Sequence, residues 1–338
     1  MILSIDFYNF NLSIFPIVNL KPYIEILNFE TFSGRKYPKL PLQYQVFGPE
    51  LGTVPLVVIN HALTGNSQVT GENGWWNEAV GVGKPIDTER YTVLTFDIPG
   101  NGYQNTFRIE NPKEWVARDV ARLFLMGLSY LGVEKGFALV GNSVGGGIAW
   151  EMVALAPDLF QHFIAVATDW KSSDWIIANS LIQEQILENS SNPLHDARMH
   201  AMLCYRSPKS FKIKFERSIN TDKAPLHNVE TWLFHHGDKL EKRFSLTAYR
   251  LMNQLVKSID VSQGRTSFES AMSEVKTQIH IIGTNSDLYF VPEENRETYH
   301  ILQQMGKKVT YHEIDSVHGH DAFLIEYQQL DSILREII

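Results

Sequence analysis

The sequence predicts an α/β protein with a mostly parallel central sheet, flanked by helices and carrying a helical cap insertion. Two observations lead to this prediction. Short apolar runs typical of buried strands alternate with helical segments through the first half of the chain. Strand patterns stop between about Lys171 and Ser262, where amphipathic helical patterns replace them, and then return. We therefore expect a core from residues 1–170 and 275–338, and a cap from residues 171–274.

Composition and charge limit the classes of partner. The 338 residues are 44% hydrophobic and 20% charged, which suffices to bury a large core. The net charge is −8 and no long basic run occurs, so the sequence has no electrostatic footprint for nucleic acid or an anionic membrane. No stretch approaches the roughly 18 to 20 consecutive apolar residues of a membrane helix. We expect small-molecule partners.

Cysteine usage and the amino terminus bear on the compartment. A single cysteine, Cys204, excludes an internal disulfide framework and a cysteine-based metal site, and it favours a reducing, cytoplasmic compartment. The segment Met1–Leu20 is apolar, but it lacks a basic start, and polar residues such as Asp6 interrupt it. We interpret it as part of the folded protein or an extended start, and not as a signal peptide.

The elements follow in a strand, helix, strand order, which implies parallel pairing with right-handed crossovers. Strand patterns are expected at Tyr23–Leu27, Gln43–Phe47, Leu56–Asn60, Tyr91–Phe96, Phe137–Val140, Phe163–Ala167, Gln278–Gly283 and Lys308–Ile314. Helices are expected from Asn111-Pro112 to Leu131, from Ser143 to Ala156, at Asp174–Leu187, at Phe244–Val256, and from about Asp321 to the end.

One short motif indicates chemistry. Gly141-Asn142-Ser143-Val144-Gly145 matches the pattern G-x-S-x-G and lies between a buried strand and a helix rich in glycine and alanine. In the α/β-hydrolase fold this motif is a sharp strand-to-helix turn that exposes a nucleophilic serine at a helix amino terminus. The context makes Ser143 a candidate nucleophile.

A serine hydroxyl is a weak nucleophile, so it needs a base and an orienting acid, which in this fold follow in the order serine, acid, histidine. Asp287 follows the strand that ends at Gly283, and the loop after the last strand contains both His318 and His320. Spacing alone leaves both histidines open as the base. Asp315 is a rival acid, but it lies too close to the histidine loop for the expected order.

Two backbone N–H groups are needed to bind the oxyanion of a tetrahedral intermediate. The usual positions are the residue after the nucleophile and a loop after an earlier strand, here Val144 and Leu63. His61, in the same loop, is interpreted as a histidine that holds the turn by hydrogen bonds. The pair His235-His236 has no carboxylate or cysteine at ligand spacing, so no metal site is expected.

With these residues assigned, the chain resembles the homoserine O-acetyltransferase family, acyltransferases of the α/β-hydrolase fold, along most of its length. The resemblance is carried by His61–Gly65, by Gly74–Trp76 with Gly83–Thr88, by Ala197–Met199 through Tyr205–Pro208, and by Gly319–Leu324. The third segment lies in the predicted cap, where a generic esterase has no reason to match. It is therefore the most specific to the family.

The resemblance implies a triad of Ser143, Asp287 and His320, and it favours His320 over His318 as the base. It also implies that Asp321 faces the amino group of an amino-acid acceptor. The implied reaction is ping-pong: the serine takes an acyl group from acetyl-CoA or another acyl-CoA, and an acceptor hydroxyl then removes it. Coenzyme A is then a substrate carrier, no bound cofactor is expected, and a homodimer with a role in methionine biosynthesis is implied.

Two departures from the family bear on the acceptor. The family usually has an arginine in the first cap helix that pairs with the homoserine carboxylate, whereas Gln183 occupies that position here. Arg198 and Arg206 are the candidates to replace it, although both also suit structural charges of the cap. The loop from Asp97 has the ordinary hydrolase pattern instead of a longer glycine-rich segment, with Asp97 structural in either case.

The function expected from the sequence is a serine-dependent O-acyltransferase that acts on an amino-acid hydroxyl. The altered acceptor position and the hydrolase-like loop keep a carboxylic-ester hydrolase as the alternative, because water competes wherever the acceptor site is poor. A binding protein on a borrowed fold is the third possibility, and the set of Ser143, Asp287 and His320 argues against it.

Overall fold

The computed structural model describes residues 22–103, 107–222 and 225–338. The segment Met1–Leu20, interpreted above as part of the fold, lies outside the described residues. The prediction of an α/β fold with a mostly parallel sheet is confirmed.

An eight-stranded sheet forms the centre of the molecule. Its strands and those of a small second sheet are β1 (Tyr23–Glu30), β2 (Lys36–Phe47), β3 (Leu56–Asn60), β4 (Val80–Gly81), β5 (Ile86–Asp87), β6 (Thr92–Phe96), β7 (Gly136–Asn142), β8 (Phe160–Val166), β9 (Gln278–Thr284) and β10 (Val309–Ile314). The order in the large sheet is β1-β2-β6-β3-β7-β8-β9-β10. Strand β2 runs antiparallel to both neighbours, and the other pairs are parallel.

Helices cover both faces of the sheet. They are α1 (Ala117–Tyr130), α2 (Val144–Leu155), α3 (Asp174–Asn189), α4 (Pro193–Tyr205), α5 (Pro208–Phe215), α6 (Asn228–Glu241), α7 (Leu246–Lys257), α8 (Phe268–Met272), α9 (Pro292–Gln304) and α10 (Tyr327–Ile337). Alternate strand residues enter two separate apolar clusters, as Val57 and Val58 do, so each sheet face has its own core. Helices α3 to α8 all come between β8 and β9. We call α3 to α7 the cap helices, because α8 follows the point where the chain returns to the core.

The chain enters and leaves the cap helices at one place. Lys171 and Asp260 form an antiparallel bridge. The Ser172 N–H donates to the Ile259 carbonyl at 2.8 Å, and the Val261 N–H donates to the Trp170 carbonyl at 3.0 Å. These contacts make a two-stranded neck, defined here as residues 170–172 with 259–261.

A buried ion pair holds residues 259–261 of the neck, where the chain returns from the cap helices, to the core. The Arg118 guanidinium of α1 binds both carboxylate oxygens of Glu151 on α2, at 2.9 and 3.0 Å, and donates to the carbonyl of Val261. Glu151 is 1% exposed and also pairs with Arg265. Because a buried charge is costly unless it is paired, this arrangement fixes the neck against two core helices.

The prediction of one continuous helix over residues 112–131 is wrong. Pro112–Glu114 forms a separate 3-10 turn, Trp115 and Val116 are extended, and α1 begins after them. Trp115 is fully buried and its indole N–H donates to the Tyr37 hydroxyl at 3.0 Å. Burial of this side chain outweighs the helical pattern of the segment.

The last helix also begins later than predicted. Gly319–Leu324, which contains Asp321, forms a 3-10 turn, and α10 starts only at Tyr327. The turn keeps residues 320 and 321 at the carboxyl edge of the sheet. The sequence patterns also missed the two short strands β4 and β5.

Candidate active site

The turn between β7 and α2 presents Ser143 in a strained conformation. Ser143 has φ +52° and ψ −124°, outside the regions that L-residues favour. Its N–H donates to the Val166 carbonyl at 3.0 Å, and its carbonyl accepts the N–H of Gly146 at 2.9 Å. A Cβ on Gly145 would lie 2.5 Å from the carbonyl oxygen of Asn60, so only glycine lets the turn approach β3. Strain of this kind is typical of functional turns.

The structure brings Ser143, His320 and Asp287 into one hydrogen-bonded row. His320 Nε2 lies 3.0 Å from Ser143 Oγ, and His320 Nδ1 lies 2.8 Å from Asp287 Oδ2. The other oxygen of Asp287 accepts the N–H groups of Tyr289 and Phe290, at 2.7 and 3.0 Å. The carboxylate is thereby fixed, and the imidazole lies between an acceptor and a hydroxyl as a general base requires.

Aromatic rings enclose the imidazole of His320. The rings of Tyr205, Tyr289, Phe290 and Phe323 have centroids between 5.3 and 5.9 Å from it, and His320 is 4% exposed. Burial disfavours the charged imidazole, but the carboxylate of Asp287 outweighs this effect. The pKa of His320 therefore lies above its ordinary value.

Sequence reasoning missed this aromatic enclosure of the base. Tyr289 and Phe290 directly follow Asp287, and Tyr205 belongs to the cap segment that carries the family resemblance. That proximity was the available signal. By excluding water, such rings strengthen the electrostatic interactions among the buried groups.

The backbone N–H groups at the two positions expected to bind the oxyanion have no backbone acceptor among the described residues. Val144 is the first residue of α2, so its N–H has no acceptor within the helix. Leu63, in the loop after β3, has a backbone N–H without a hydrogen-bond acceptor among the described residues. The imidazole of His61 bridges this loop, since Nδ1 contacts the Ala62 carbonyl at 2.8 Å and Nε2 accepts the N–H of Ile98 at 3.1 Å.

The rival base and acid lie elsewhere. His318 Nδ1 lies 3.0 Å from the Ser210 hydroxyl and 3.2 Å from a guanidinium nitrogen of Arg206, so it contacts the cap and not Ser143. Asp315 is exposed and accepts the side-chain amide of Asn285. Of the two histidines that spacing left open, His320 is the one next to the nucleophile.

A narrow pocket adjoins the aromatic rings that surround His320, since Tyr205 and Tyr289 belong to both. Most of its lining residues are polar and have no formal charge: Asn179, Gln183, Cys204, Tyr205, Tyr249, Asn253 and Tyr289. Leu63 and Ala201 add apolar contacts. Gln183 is 8% exposed; its amide donates to the Ala197 carbonyl at 3.1 Å and contacts His200 Nδ1 at 2.9 Å. Burial raises the pKa of the Cys204 thiol to about 11, so it remains a thiol and not a second nucleophile.

The three charged residues predicted to bind substrate lie around this pocket but do not line it. Arg206 Nε pairs with Asp321 Oδ2 at 2.9 Å, and both side chains are 19% exposed. Arg198 lies over the Tyr205 ring, 5.7 Å from its centroid. No carboxylate of the described residues is within ion-pair distance of Arg198. Arg206 is therefore ion-paired, whereas Arg198 is not.

Two further sequence interpretations concern residues away from the nucleophile. Asp97 is 1% exposed and accepts the Ser67 N–H at 2.7 Å and the Asn101 amide at 3.4 Å, as a loop-holding carboxylate does. His235 and His236 lie on α6, and among the described residues no group of three or more potential ligands could hold a metal ion. No described helix combines the length and the apolar character that a membrane span requires.

Comparison with known proteins places this geometry in a class. Residues 55–192 match the family model of the alpha/beta hydrolase fold. Esterase E22, 17% identical with a TM-score of 0.82 over 93% of this chain and 98% of that chain, shares the fold. The protein is therefore an α/β-hydrolase-fold enzyme, an acyltransferase or a hydrolase.

Relatives that match 90% of this chain give the family. The homoserine O-acetyltransferases of Carboxydothermus hydrogenoformans and Symbiobacterium thermophilum are each 30% identical to this chain; the first match covers 90% of this chain and 91% of that protein. The structure of homoserine O-acetyltransferase from Staphylococcus aureus matches with a TM-score of 0.80 at 26% identity, over 94% of both chains. This chain belongs to the homoserine O-acetyltransferase family, which confirms the resemblance inferred from sequence.

Proposed function

We propose that the protein transfers an acetyl group from acetyl-CoA, through an acyl-enzyme on Ser143, to the hydroxyl of homoserine or a closely similar amino acid. The observation that carries this proposal is the buried row of Ser143, His320 and Asp287 beside a small polar pocket under the cap helices. Full-length similarity to homoserine O-acetyltransferases supports acyl transfer over plain hydrolysis.

In the first half-reaction His320 acts as the base. With a proton on Nδ1 held by Asp287, the free Nε2 accepts the Ser143 proton while Oγ attacks the thioester carbonyl. The developing oxyanion would be bound by the N–H groups of Leu63 and Val144. The carbon–sulfur bond then breaks, and the leaving sulfur takes the proton from His320 Nε2 and departs as a thiol.

The second half-reaction uses the same groups in reverse order. His320 accepts the proton of the acceptor hydroxyl, whose oxygen attacks the acyl carbon of the ester on Ser143. Collapse of the tetrahedral intermediate returns the proton to Ser143 Oγ and releases the acetylated acceptor. Exclusion of water by the rings around His320 favours the alcohol over hydrolysis.

Acceptor recognition is proposed to use charges of both signs. Asp321 directly follows His320 in the 3-10 turn, and its carboxylate, which Arg206 contacts at 2.9 Å, would attract an acceptor ammonium group. Arg198, unlike Arg206, has no described carboxylate partner, and its guanidinium lies 5.7 Å from the ring centroid of Tyr205, which lines the pocket. We assign the acceptor carboxylate to Arg198 and not to Gln183, whose amide nitrogen already donates to the Ala197 carbonyl and contacts His200 Nδ1.

The acceptor assignment is tested with Arg198→Gln. Loss of a charge-assisted hydrogen bond costs about 1.5 to 3 kcal/mol, so KM for homoserine should rise roughly 10- to 150-fold. Hydrolysis of a neutral ester such as p-nitrophenyl acetate should change far less. The matched control is Arg90→Gln, because Arg90 also lies over a tyrosine ring, 5.4 Å from the centroid of Tyr91. Equal losses with homoserine and the neutral ester would contradict the assignment.

The reaction itself is tested with purified protein, acetyl-CoA and homoserine. We expect acceptor-dependent release of free thiol, formation of O-acetylhomoserine, and a mass gain of one acetyl group on Ser143 when acceptor is withheld. All three should be absent in Ser143→Ala. Thiol release that is independent of acceptor and yields only acetate would instead support the hydrolase alternative.

The remaining parts of the proposal concern assembly and compartment. The family resemblance leads us to propose a homodimer in the cytoplasm, with acyl-CoA as a substrate and no bound cofactor. Sedimentation of the purified chain tests the dimer, and activity after exhaustive dialysis against a chelator tests the expected independence from metal.

A further inference from the structure

A strongly basic segment interrupts an acidic protein. The chain has a net charge of −8, yet residues 206–217 contain five cations and a single carboxylate, Glu216. This segment includes helix α5, whose exposed face presents Lys209 and Lys212. The described active-site residues do not explain this concentration of positive charge.

The cations border a groove. It has a volume of about 1040 Å³ and lies between α5 and the start of α6. One part is cationic, formed by Lys209, Lys212 and Arg217. The other part is apolar, formed by Phe211, Ile213, Phe215 and Val229, with His227 beside it. Ile213 is 58% exposed, so the apolar part is open to a ligand.

Among the described residues no carboxylate lies within ion-pair distance of Lys209, Lys212 or Arg217. By contrast Arg206, at the start of the segment, is paired with Asp321. The groove therefore has uncompensated positive charge that a polyanion could neutralise.

The groove is adjacent to the candidate active site. Ser210, on the inner face of α5, contacts His318, which is two residues from His320. An extended pair of residues spans at most about 7 Å. Helix α5 ends at Phe215, five residues after Ser210, which is a rise of about 8 Å. The α5 side of the groove thus lies within roughly 20 Å of the base.

We propose that this groove binds the 3′-phospho-ADP portion of the acyl-CoA donor. The phosphates would contact Lys209, Lys212 and Arg217, and the adenine would pack on the apolar part formed by Phe211, Ile213 and Val229. This inference rests on the proposed acyl-CoA donor. The flexible pantetheine arm separates the nucleotide from the thioester, so a site at a distance from Ser143 is what this donor requires.

The chemistry of the groove favours a nucleotide polyphosphate over an apolar peptide. Two bridging phosphates and one terminal phosphate have about four negative charges near neutral pH. Three free cations beside an apolar wall complement such a group, since a base can stack on apolar and aromatic side chains. A helical peptide would leave the three cations unpaired.

The test compares two donors, acetyl-CoA and acetyl-pantetheine, which share the thioester but differ in the nucleotide. In the variant Lys209→Gln/Lys212→Gln/Arg217→Gln, KM for acetyl-CoA should rise roughly 10- to 50-fold, because each exposed charge contributes a few-fold. The kcat/KM for acetyl-pantetheine should keep its wild-type value. In the wild type, added salt should raise KM for acetyl-CoA and leave KM for acetyl-pantetheine unchanged.

Two controls accompany the variant. Lys36→Gln/Lys113→Gln/Lys308→Gln removes the same charge from exposed core residues and should leave KM for both donors unchanged. Glu216→Gln removes the one carboxylate of the groove and should lower KM for acetyl-CoA by about two- to threefold. Thermal unfolding of each variant checks that the fold is retained.

Calorimetry with adenosine 3′,5′-bisphosphate tests the groove without catalysis. The wild type should bind it and the triple groove variant should not. If neither thioester is turned over, the proposed function fails, and this measurement still decides the groove. Equal KM values for the two donors in the wild type, no binding of the bisphosphate, or a groove variant that only loses self-association in sedimentation would each overturn the inference.

Discussion

Replacing Asp287 with asparagine tests the role of the buried carboxylate in depth. The substitution keeps the size of the side chain and an oxygen that can accept the N–H groups of Tyr289 and Phe290. It removes the negative charge 2.8 Å from His320 Nδ1. An amide N–H can also donate to Nδ1, which would place the imidazole proton on Nε2, where it cannot accept the Ser143 proton.

The magnitude follows from the burial of the pair. Asp287 and His320 are 2% and 4% exposed, so their interaction is little screened by solvent. Opposite charges about 4 Å apart at an effective dielectric constant of ~20 attract by about 4 kcal/mol. With the wrong tautomer added, the expected loss in kcat for acylation is roughly 10³- to 10⁴-fold, the range known for serine triads.

The pH profile gives a second readout. His320 must be neutral to act as a base, so in the wild type kcat/KM should fall as pH decreases through its raised pKa. In Asp287→Asn the carboxylate that raises the pKa is gone and burial, which lowers it, remains. The acidic limb of the residual activity should therefore move to lower pH.

The assay is thiol release from acetyl-CoA with saturating homoserine, measured across pH. The matched control is Asp315→Asn, which changes an exposed carboxylate on the neighbouring loop and should keep nearly wild-type activity. If Asp287→Asn kept more than about a tenth of the wild-type rate, or if its acidic limb did not move, the assigned role of Asp287 would be refuted.

Three further predictions concern stability. Gly145→Ala should destabilise the protein by roughly 3 kcal/mol or more, since its Cβ would meet backbone carbonyls at 2.5 Å; urea unfolding measures the loss, and a stable variant would show that the turn can relax. Glu151→Gln should lower the free energy of unfolding by about 3 to 5 kcal/mol, because it leaves the buried Arg118 uncompensated. The control Glu25→Gln, at an exposed ion pair, should lower it by less than about 1 kcal/mol. Similar losses in the two variants would argue that the buried pair does not anchor the neck. The pKa of His280 is lowered to about 4 by burial and by two neighbouring histidines, so its folded pKa is below the unfolded value of 6.5. The stability that His280 contributes is therefore present above about pH 6.5 and lost as pH falls toward 4. His280→Gln should narrow the difference in Tm between about pH 7.5 and 5, and an unchanged difference would contradict the assignment.

The buried strands of the sheet and the nucleophile turn could be predicted because their signals are local. The run Leu56–Asn60 is apolar at every position, and such runs occur where both faces of a parallel strand are buried. The glycines around Ser143 have a steric cause that a short motif records, as the contact of Gly145 with Asn60 illustrates. Local chemistry of this kind can be read without knowledge of the fold.

Features that depend on distant partners could not be predicted in this way. The pairing of Arg206 with Asp321 joins residues 115 positions apart, and neither residue has a local pattern that selects the other. The choice between His318 and His320 likewise depends on which imidazole reaches Ser143, 177 positions from His320. The extended conformation of Trp115 results from a tertiary contact with Tyr37 that overrides helix propensity.

The neck formed by residues 170–172 and 259–261 has a consequence for how this enzyme could diversify. The two chain segments of the neck are hydrogen-bonded neighbours, so the residues between them form a loop whose ends already meet. Replacing that loop with one of different length would therefore change the loop-closure entropy only slightly. The nucleophile, base and acid are all on the other side of that junction. The helices proposed to select the acceptor thus form a separable insertion, and a chimera that joins a relative's insertion at Lys171 and Asp260 should retain the acylation step while acquiring that relative's acceptor.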